Sequence, residues 1–208
     1  MTPELITFDI FGTVLDWKSG LIAACTAEGR ELSDEDFDRV IAVQSEIEHG
    51  AFTTYREVTS LSLQRALALE VPVADRIADG IGTWPLFTDS QKALQALLAV
   101  APCAAMTNSD IVHGEQIQHR LGFRLSDWFC AEESRVYKPD PRFWHLMAQR
   151  RGILPGRSWW HVSAYADYDL AVANSLGLTT IFVQRPHSRP APAAHSVSSL
   201  HELVLLLS

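Results

Sequence analysis

The chain has 208 residues, 47% of them hydrophobic, and a formal net charge of −8. That length suits one sizeable core with an appended domain, and the negative balance, with no Lys/Arg-rich run, argues against a nucleic-acid partner. No basic-then-apolar leader is visible, no apolar run approaches the ~20 residues of a bilayer span, and Cys25, Cys103 and Cys130 lie too far apart for a disulfide framework, which fits a cytoplasmic protein with buried thiols.

In chain order, LITFD (5–9) reads as a short buried strand. Helices are expected over 19–31, over 33–50 with Ser33 as N-cap and Gly50 as stop, over 55–70 and over 73–84. The 19–85 block contains no convincing strand. A helix capped by Asp89 or Ser90 then runs to Val100, and CAAMTNS (103–109) is the next strand. A helix follows with Ser109 as cap and Gly122 as stop, then a strand at DWFCAE (127–132). Asp140 caps another helix, with Pro141 at its first position and Gly152 past its end. SWWHVSA (158–164) and TTIFVQR (179–185) are strands flanking the helix DYDLAVANSLG. RPHSRPAPAAHS (185–196) reads as an exposed loop and SLHELVLLLS as a last amphipathic helix. Repeated β-α order implies an α/β fold with a parallel, three-layer sheet.

In open parallel sheets ligands bind at the carboxyl ends of the strands. Asp9 sits there after the first strand, Thr107, Asn108 and Ser109 after the second, Lys138 before the Asp140-Pro141 helix, and Asp169 after SWWHVSA. A carboxylate, hydroxyl and amide donors, a lysine and a second carboxylate would converge on one crevice, and their joint placement outweighs any of them alone.

Four motifs carry a resemblance. FDIFGTVLDW, MTNSD, VYKPDPRFW and HVSAYADYDLAVANSLGLTTIFVQR, in this order and over nearly the whole chain, resemble those of the haloacid dehalogenase superfamily of hydrolases. The resemblance implies a Rossmann-like core, residues 1–16 and 87–208, with a helical cap domain, 17–86, inserted after the first strand. Phosphatases of that superfamily carry a second aspartate two residues after the nucleophile, as acid and base for the leaving group. Here that residue is Phe11, which resembles the L-2-haloacid dehalogenase branch. The chemistry agrees: an alkoxide leaving group needs a proton, a halide does not, and an aromatic ring keeps water from the nucleophile.

The resemblance implies a small-molecule acid as substrate and no cofactor. Asp9 would attack the carbon bearing the leaving group, and water would then hydrolyse the aspartyl ester to the 2-hydroxy acid. Gly12 and Thr13 would shape the turn around Asp9. Thr107 and Asn108 would donate to Asp9 or to the substrate carboxylate, or else cap the next helix. Lys138 would hold Asp9 ionised, and Asp169 would orient Lys138. Ile10, Phe11, Trp17 and Trp144 are expected around the substrate, with Tyr165 or Asp167 positioning the hydrolytic water. Arg39 is the candidate for holding the halide; the alternative is pairing with Glu35 or Asp36 on the solvated face. His161, inside a strand, reads as structural. Two further chemistries stay open: a Mg2+-dependent phosphatase holding the cation with Asp9, the Phe11 carbonyl and Asp169, and hydrolysis of another activated carbon–heteroatom bond. Related dehalogenases are often dimers, which implies a homodimer.

Overall fold

A computed structural model of the protein describes residues 2–207. Strand β1 (Leu5–Phe8) is followed by four helices, α1 (Trp17–Ala27), α2 (Asp34–Glu48), α3 (Tyr55–Leu67) and α4 (Val71–Asp79). Their starts are written locally. Asp16 accepts the Ser19 N–H at the head of α1, and reciprocal capping boxes open α2 (Ser33 with Asp36) and α3 (Thr54 with Glu57). The expected 73–84 helix instead begins at Val71 with a proline in its first turn, and breaks at Gly80 into a short 3-10 turn, Ile81–Thr83.

The remaining elements are α5 (Ser90–Leu98), β2 (Cys103–Thr107), α6 (Ile111–Leu121), β3 (Asp127–Cys130), a single turn α7 (Ala131–Ser134), α8 (Arg142–Arg151) and β4 (Trp159–Ser163). A π-helical turn, Ala166–Leu170, leads into α9 (Ala171–Ser175), followed by β5 (Thr179–Val183), β6 (His195–Val197) and α10 (Leu200–Leu207). The strands form one parallel sheet in the order β3-β2-β1-β4-β5-β6, with Ile6 of β1 opposite Cys103 on one side and Trp160 on the other. β1, β2 and β4 are wholly buried, as the middle strands of a helix-covered parallel sheet must be. The chain builds outward from β1 through β2 to β3, then crosses to β4 on the other flank. The strand order therefore reverses between β1 and β4, and the crevice at their carboxyl ends is where such a sheet binds ligands. Among the described residues no helix is long and apolar enough to cross a membrane.

Three local expectations are corrected. Asp110, not Ser109, is the N-cap of α6. Its carboxylate turns to another helix, accepting the Tyr55 and Arg56 N–H groups at 2.8 Å each. These are orphan donors at the start of α3, so two helix N-termini, one in the insert and one in the core, converge on one acid. Helix α8 starts one residue late, with Pro141 as its N-cap and Asp140 Oδ1 accepting the Arg142 N–H. The 185–196 segment is not simply an exposed loop. His195 and Ser196 belong to β6, and Arg185 is buried because its guanidinium donates to the Thr13 carbonyl (3.0 Å), pairs with Asp89 (3.0 Å) and lies over the Phe87 ring.

Replacing Asp110 with alanine would leave the buried Tyr55 N–H without its acceptor. Asp110→Ala is expected to lower the unfolding free energy by about 1–3 kcal/mol, read from urea denaturation; an unchanged midpoint would contradict the shared-acid docking of α3.

Candidate active site

Asp9 follows the last residue of β1, is 4% exposed, and its N–H donates to the Val162 carbonyl of β4 at 2.9 Å. The chain then turns so sharply that the Ile10 carbonyl accepts the N–H groups of Thr13, Val14 and Leu15. The turn requires Gly12 at φ +82°, and a Cβ there would lie 2.1 Å from the Tyr165 hydroxyl oxygen. Glycine is needed on both counts. The turn brings the Thr13 hydroxyl back to donate to Asp9 Oδ2 at 2.6 Å while it accepts the Ala164 N–H at 3.0 Å. β1 and β4 are thereby tied on either side of the nucleophile candidate.

Among the described residues, Lys138 supplies the only charge of opposite sign bonded to Asp9. Its ammonium, fully buried, donates to Asp9 Oδ1 at 3.0 Å and to Asp169 Oδ2 at 2.9 Å. The other Asp169 oxygen accepts from His161 Nε2 at 3.1 Å; a carboxylate can only accept, so the imidazole proton sits on that nitrogen. His161 Nδ1 is hydrogen-bonded to the Thr7 hydroxyl (2.8 Å), which itself accepts the Trp159 indole N–H (2.8 Å). Burial penalises the Lys138 charge, but Asp169 and Asp9 outweigh it and hold the amine protonated above its ordinary range. Asp169, buried too, is held well below the carboxylate range by Lys138 and His161. Asp9 has fewer such partners; burial, reinforced by the Asp169 charge, raises its carboxyl above the ordinary 3.8 against the pull of Lys138 and Thr13.

The group opens into a cavity of about 770 Å3 between the insert and the carboxyl edge of the sheet, lined by Asp9, Phe11, Trp17, Asn108, Lys138 and Tyr165 among others. Phe11 stacks on Tyr55 of α3, with centroids 5.0 Å apart. Asn108 bonds not to Asp9 but to the backbone of Lys138, accepting its N–H (2.8 Å) and donating to its carbonyl (3.0 Å). Thr107 is buried and its hydroxyl makes no hydrogen bond to Asp9, whose oxygens accept from Thr13 and Lys138.

Four expected substrate neighbours lie elsewhere. The residues of α2 that face the cavity are Asp34, Phe37, Asp38, Ile41, Gln44, Ser45 and Glu48, a three-and-four repeat. Arg39 stands two positions from both Phe37 and Ile41, hence on the opposite side of the helix, 56% exposed and paired with Asp36. It is not in the site. Trp144 is completely buried, edge-on to His161 at 5.9 Å, and supports that imidazole instead of walling the cavity. The Ile10 side chain is likewise core. Asp167 points to the rim, where it pairs with Arg189 at 3.3 Å.

The cavity also contains Tyr55, which the sequence offers either as pocket lining or as insert core, and groups with no such expectation: Lys18, Glu48, Tyr168, His187 and Arg189. The helical repeat from Phe37 would have found Glu48. Nothing local marks Arg189, which reaches the rim because its backbone bonds to Ala164 and Ala166. His161 is structural in position yet touches the charged group directly.

Known proteins align with this geometry. A family model for haloacid dehalogenase-like hydrolases matches residues 3–160. The chain is 26% identical to (S)-2-haloacid dehalogenase 1 of Pseudomonas sp. (strain CBS-3), over 96% of this chain and 94% of that protein. It is 24% identical to (S)-2-haloacid dehalogenase 4A of Burkholderia cepacia, over 97% and 93%. One solved L-2-haloacid dehalogenase structure superposes with a TM-score of 0.86 at 25% identity, covering 99% of this chain and 100% of that one.

Removing the cation from this buried set leaves two carboxylates facing each other. Lys138→Met is expected to cost about 3–5 kcal/mol of stability, and the loss should be smaller in the double variant Lys138→Met/Asp169→Asn. Denaturation of the single and double variants checks it; equal losses would contradict the coupling.

Proposed function

The chain belongs to the haloacid dehalogenase-like hydrolases, and from that premise we propose that it cleaves the carbon–halogen bond of a 2-haloacid through an ester formed on Asp9. The observation that carries the reading is Phe11. In place of an acid two residues beyond the nucleophile, the site has a ring packed against Tyr55, so nothing at that position can protonate an alkoxide. A halide needs no such proton.

The steps follow from the contacts. Asp9 attacks with one carboxylate oxygen, and the C–X electron pair leaves with the halide. Thr13 and Lys138 hold the carboxylate in one orientation, which lowers the entropic cost of the displacement. Water then attacks the aspartyl carbonyl, the bond from that carbon to the ester oxygen breaks, one water proton goes to the departing 2-hydroxy oxygen and the other to solvent, and Asp9 is restored as a carboxylate. Lys138, fixed by Asp169, is already beside the oxygen on which negative charge collects in that step. Tyr165 lies against the same turn, over Gly12, where it can orient the water.

The donor set also supports reaction without a metal. All four oxygens of Asp9 and Asp169 accept hydrogen bonds from Thr13, Lys138 and His161, and the ammonium between the two acids supplies positive charge where a divalent cation would otherwise bring it. Three buried, unpaired cysteines, with thiols raised by burial to about 11, 12 and 11 for Cys25, Cys103 and Cys130, support a cytoplasmic location.

The expected results are halide release from L-2-chloropropionate that survives EDTA, and none from Asp9→Asn. Halide release abolished by EDTA would sink the metal-independent reading, and no release from any 2-haloacid would sink the substrate. Because Asp9 must be ionised and its carboxyl is raised, kcat/KM should climb with pH through a value above 3.8; an acid limb at or below that pH would contradict the buried nucleophile.

A further inference from the structure

Glu48 is the last residue of α2, and its side chain extends the cavity-facing stripe of Ile41, Gln44 and Ser45. It is half-buried, and among the described residues the only hydrogen-bonding partner of its carboxyl is the Asn108 amide, which donates to Oε2 at 3.4 Å. The same amide holds the Lys138 carbonyl with its other hydrogen. Glu48 is thus set over the charged group of the core by a helix of the insert, with one carboxyl oxygen uncommitted.

We propose that the Glu48 carboxyl, in its neutral form, is the hydrogen-bond donor that receives the departing halide. This rests on the reading of the cavity as a 2-haloacid site. Three observations lead to it. First, the expected guanidinium is absent from this helix face, Arg39 being outside, and the cavity's other cations are each paired: Lys18 with Asp34, Arg189 with Asp167 and Lys138 with two acids. Second, the last turn of a helix carries partial negative charge, which disfavours a carboxylate there. Third, the groups around Glu48 do little to ionise it. Burial pushes the carboxyl up to about 8, opposed by the Asn108 bond and the Lys138 charge. Lys138 is already shared by Asp9 and Asp169, and Tyr55, Tyr137 and Tyr168, whose titrations Glu48 influences from α3, the segment before Lys138 and the turn after β4, are all held neutral by burial.

The step balances simply. An Asp9 oxygen bonds to the α-carbon, the C–X bond breaks, and both its electrons leave with the halide. The proton stays on Glu48 as O–H···X−. Fluoride is the halide that leaves least readily and accepts hydrogen bonds most strongly, so the donor matters most for it.

Two variants test this. In the wild type, kcat/KM for 2-haloacids should fall as pH rises through about 8. Glu48→Gln, which donates but does not titrate, should lose that alkaline limb. Glu48→Leu should lose about 10- to 100-fold, more for 2-fluoropropionate than for 2-bromopropionate. An alkaline limb retained in Glu48→Gln, or an equal loss with both halides in Glu48→Leu, overturns the proposal. Fluoride binding to the resting protein, followed by 19F NMR at pH about 6.5 and about 9.5, gives a readout without turnover. Tighter binding at the lower pH, abolished in Glu48→Leu, supports the donor role, and no binding at the lower pH overturns it. If the wild type turned over no 2-haloacid, the substrate reading would fall by itself and the fluoride measurement would still decide the role of Glu48.

Discussion

Everything at the carboxyl edge of the sheet is arranged around one buried ammonium. Lys138 reaches Asp9 and Asp169 from a segment that belongs to neither strand, with no exposed side-chain surface. A buried charge survives only when geometry and hydrogen bonds repay its desolvation, and the structure fixes each partner separately. Asp169 is backed by His161, and His161 by Thr7 and Trp159, so a line of polar contacts runs back through β4 and β1. Asn108 holds the lysine's own backbone at both ends of the residue. Moving β1 against β4 would leave a charge unpaired in the interior.

The division of labour between the two carboxylates follows from that arrangement. Asp169 has two cationic or N–H partners and stays ionised; Asp9 has one cation and one hydroxyl and is raised. The acid with fewer partners is the one facing the cavity. A carboxylate tied down as firmly as Asp169 would hold its electron pairs too tightly to attack carbon, whereas Asp9 keeps the basicity and the support that the proposed attack requires. Phe11 belongs to the same economy: it contributes no proton, and its ring joins the core to Tyr55 of the insert.

Most of the fold was legible because its signals are local. Ser33 and Thr54 announce their helices, Gly122 and Gly152 end theirs in the left-handed conformation, and the central strands are short apolar runs. The buried polar group was legible because a parallel sheet presents its strand ends together: Asp9, Lys138 and Asp169 were placed by topology as much as by motif. What escaped had no local signal. Asp110 caps a helix 54 residues away in sequence, Arg185 is buried by a turn at the other end of the chain, and β6 forms at the edge of an apparently irregular Pro-rich segment. Arg39 is different. Its side of α2 could be read from the spacing of Phe37, Ile41 and Glu48, and the helical repeat outranks residue type as a guide to which side chain meets the substrate.

The placement of Glu48 gains meaning from the charge balance of the whole cavity. Asp9, Asp169 and Lys138 together carry one net negative charge when all are ionised, and a haloacid, the proposed substrate, would add its own carboxylate. The proposed displacement would not change that sum; it would move one charge from Asp9 to the halide, from the core side of the cavity to the leaving-group side. An ionised Glu48 would raise the negative charge throughout and oppose the halide where it must form. A neutral one leaves the sum alone and offers a dipole whose positive end points at an anion only once that anion exists. An interaction that strengthens as the bond breaks lowers the barrier without tightening the ground state. A guanidinium at the same place would instead attract the substrate carboxylate from the outset. In this chain α2 turns its one arginine, Arg39, to solvent and its terminal acid to the cavity, and the C-terminal end of the helix is where an acid most readily keeps its proton.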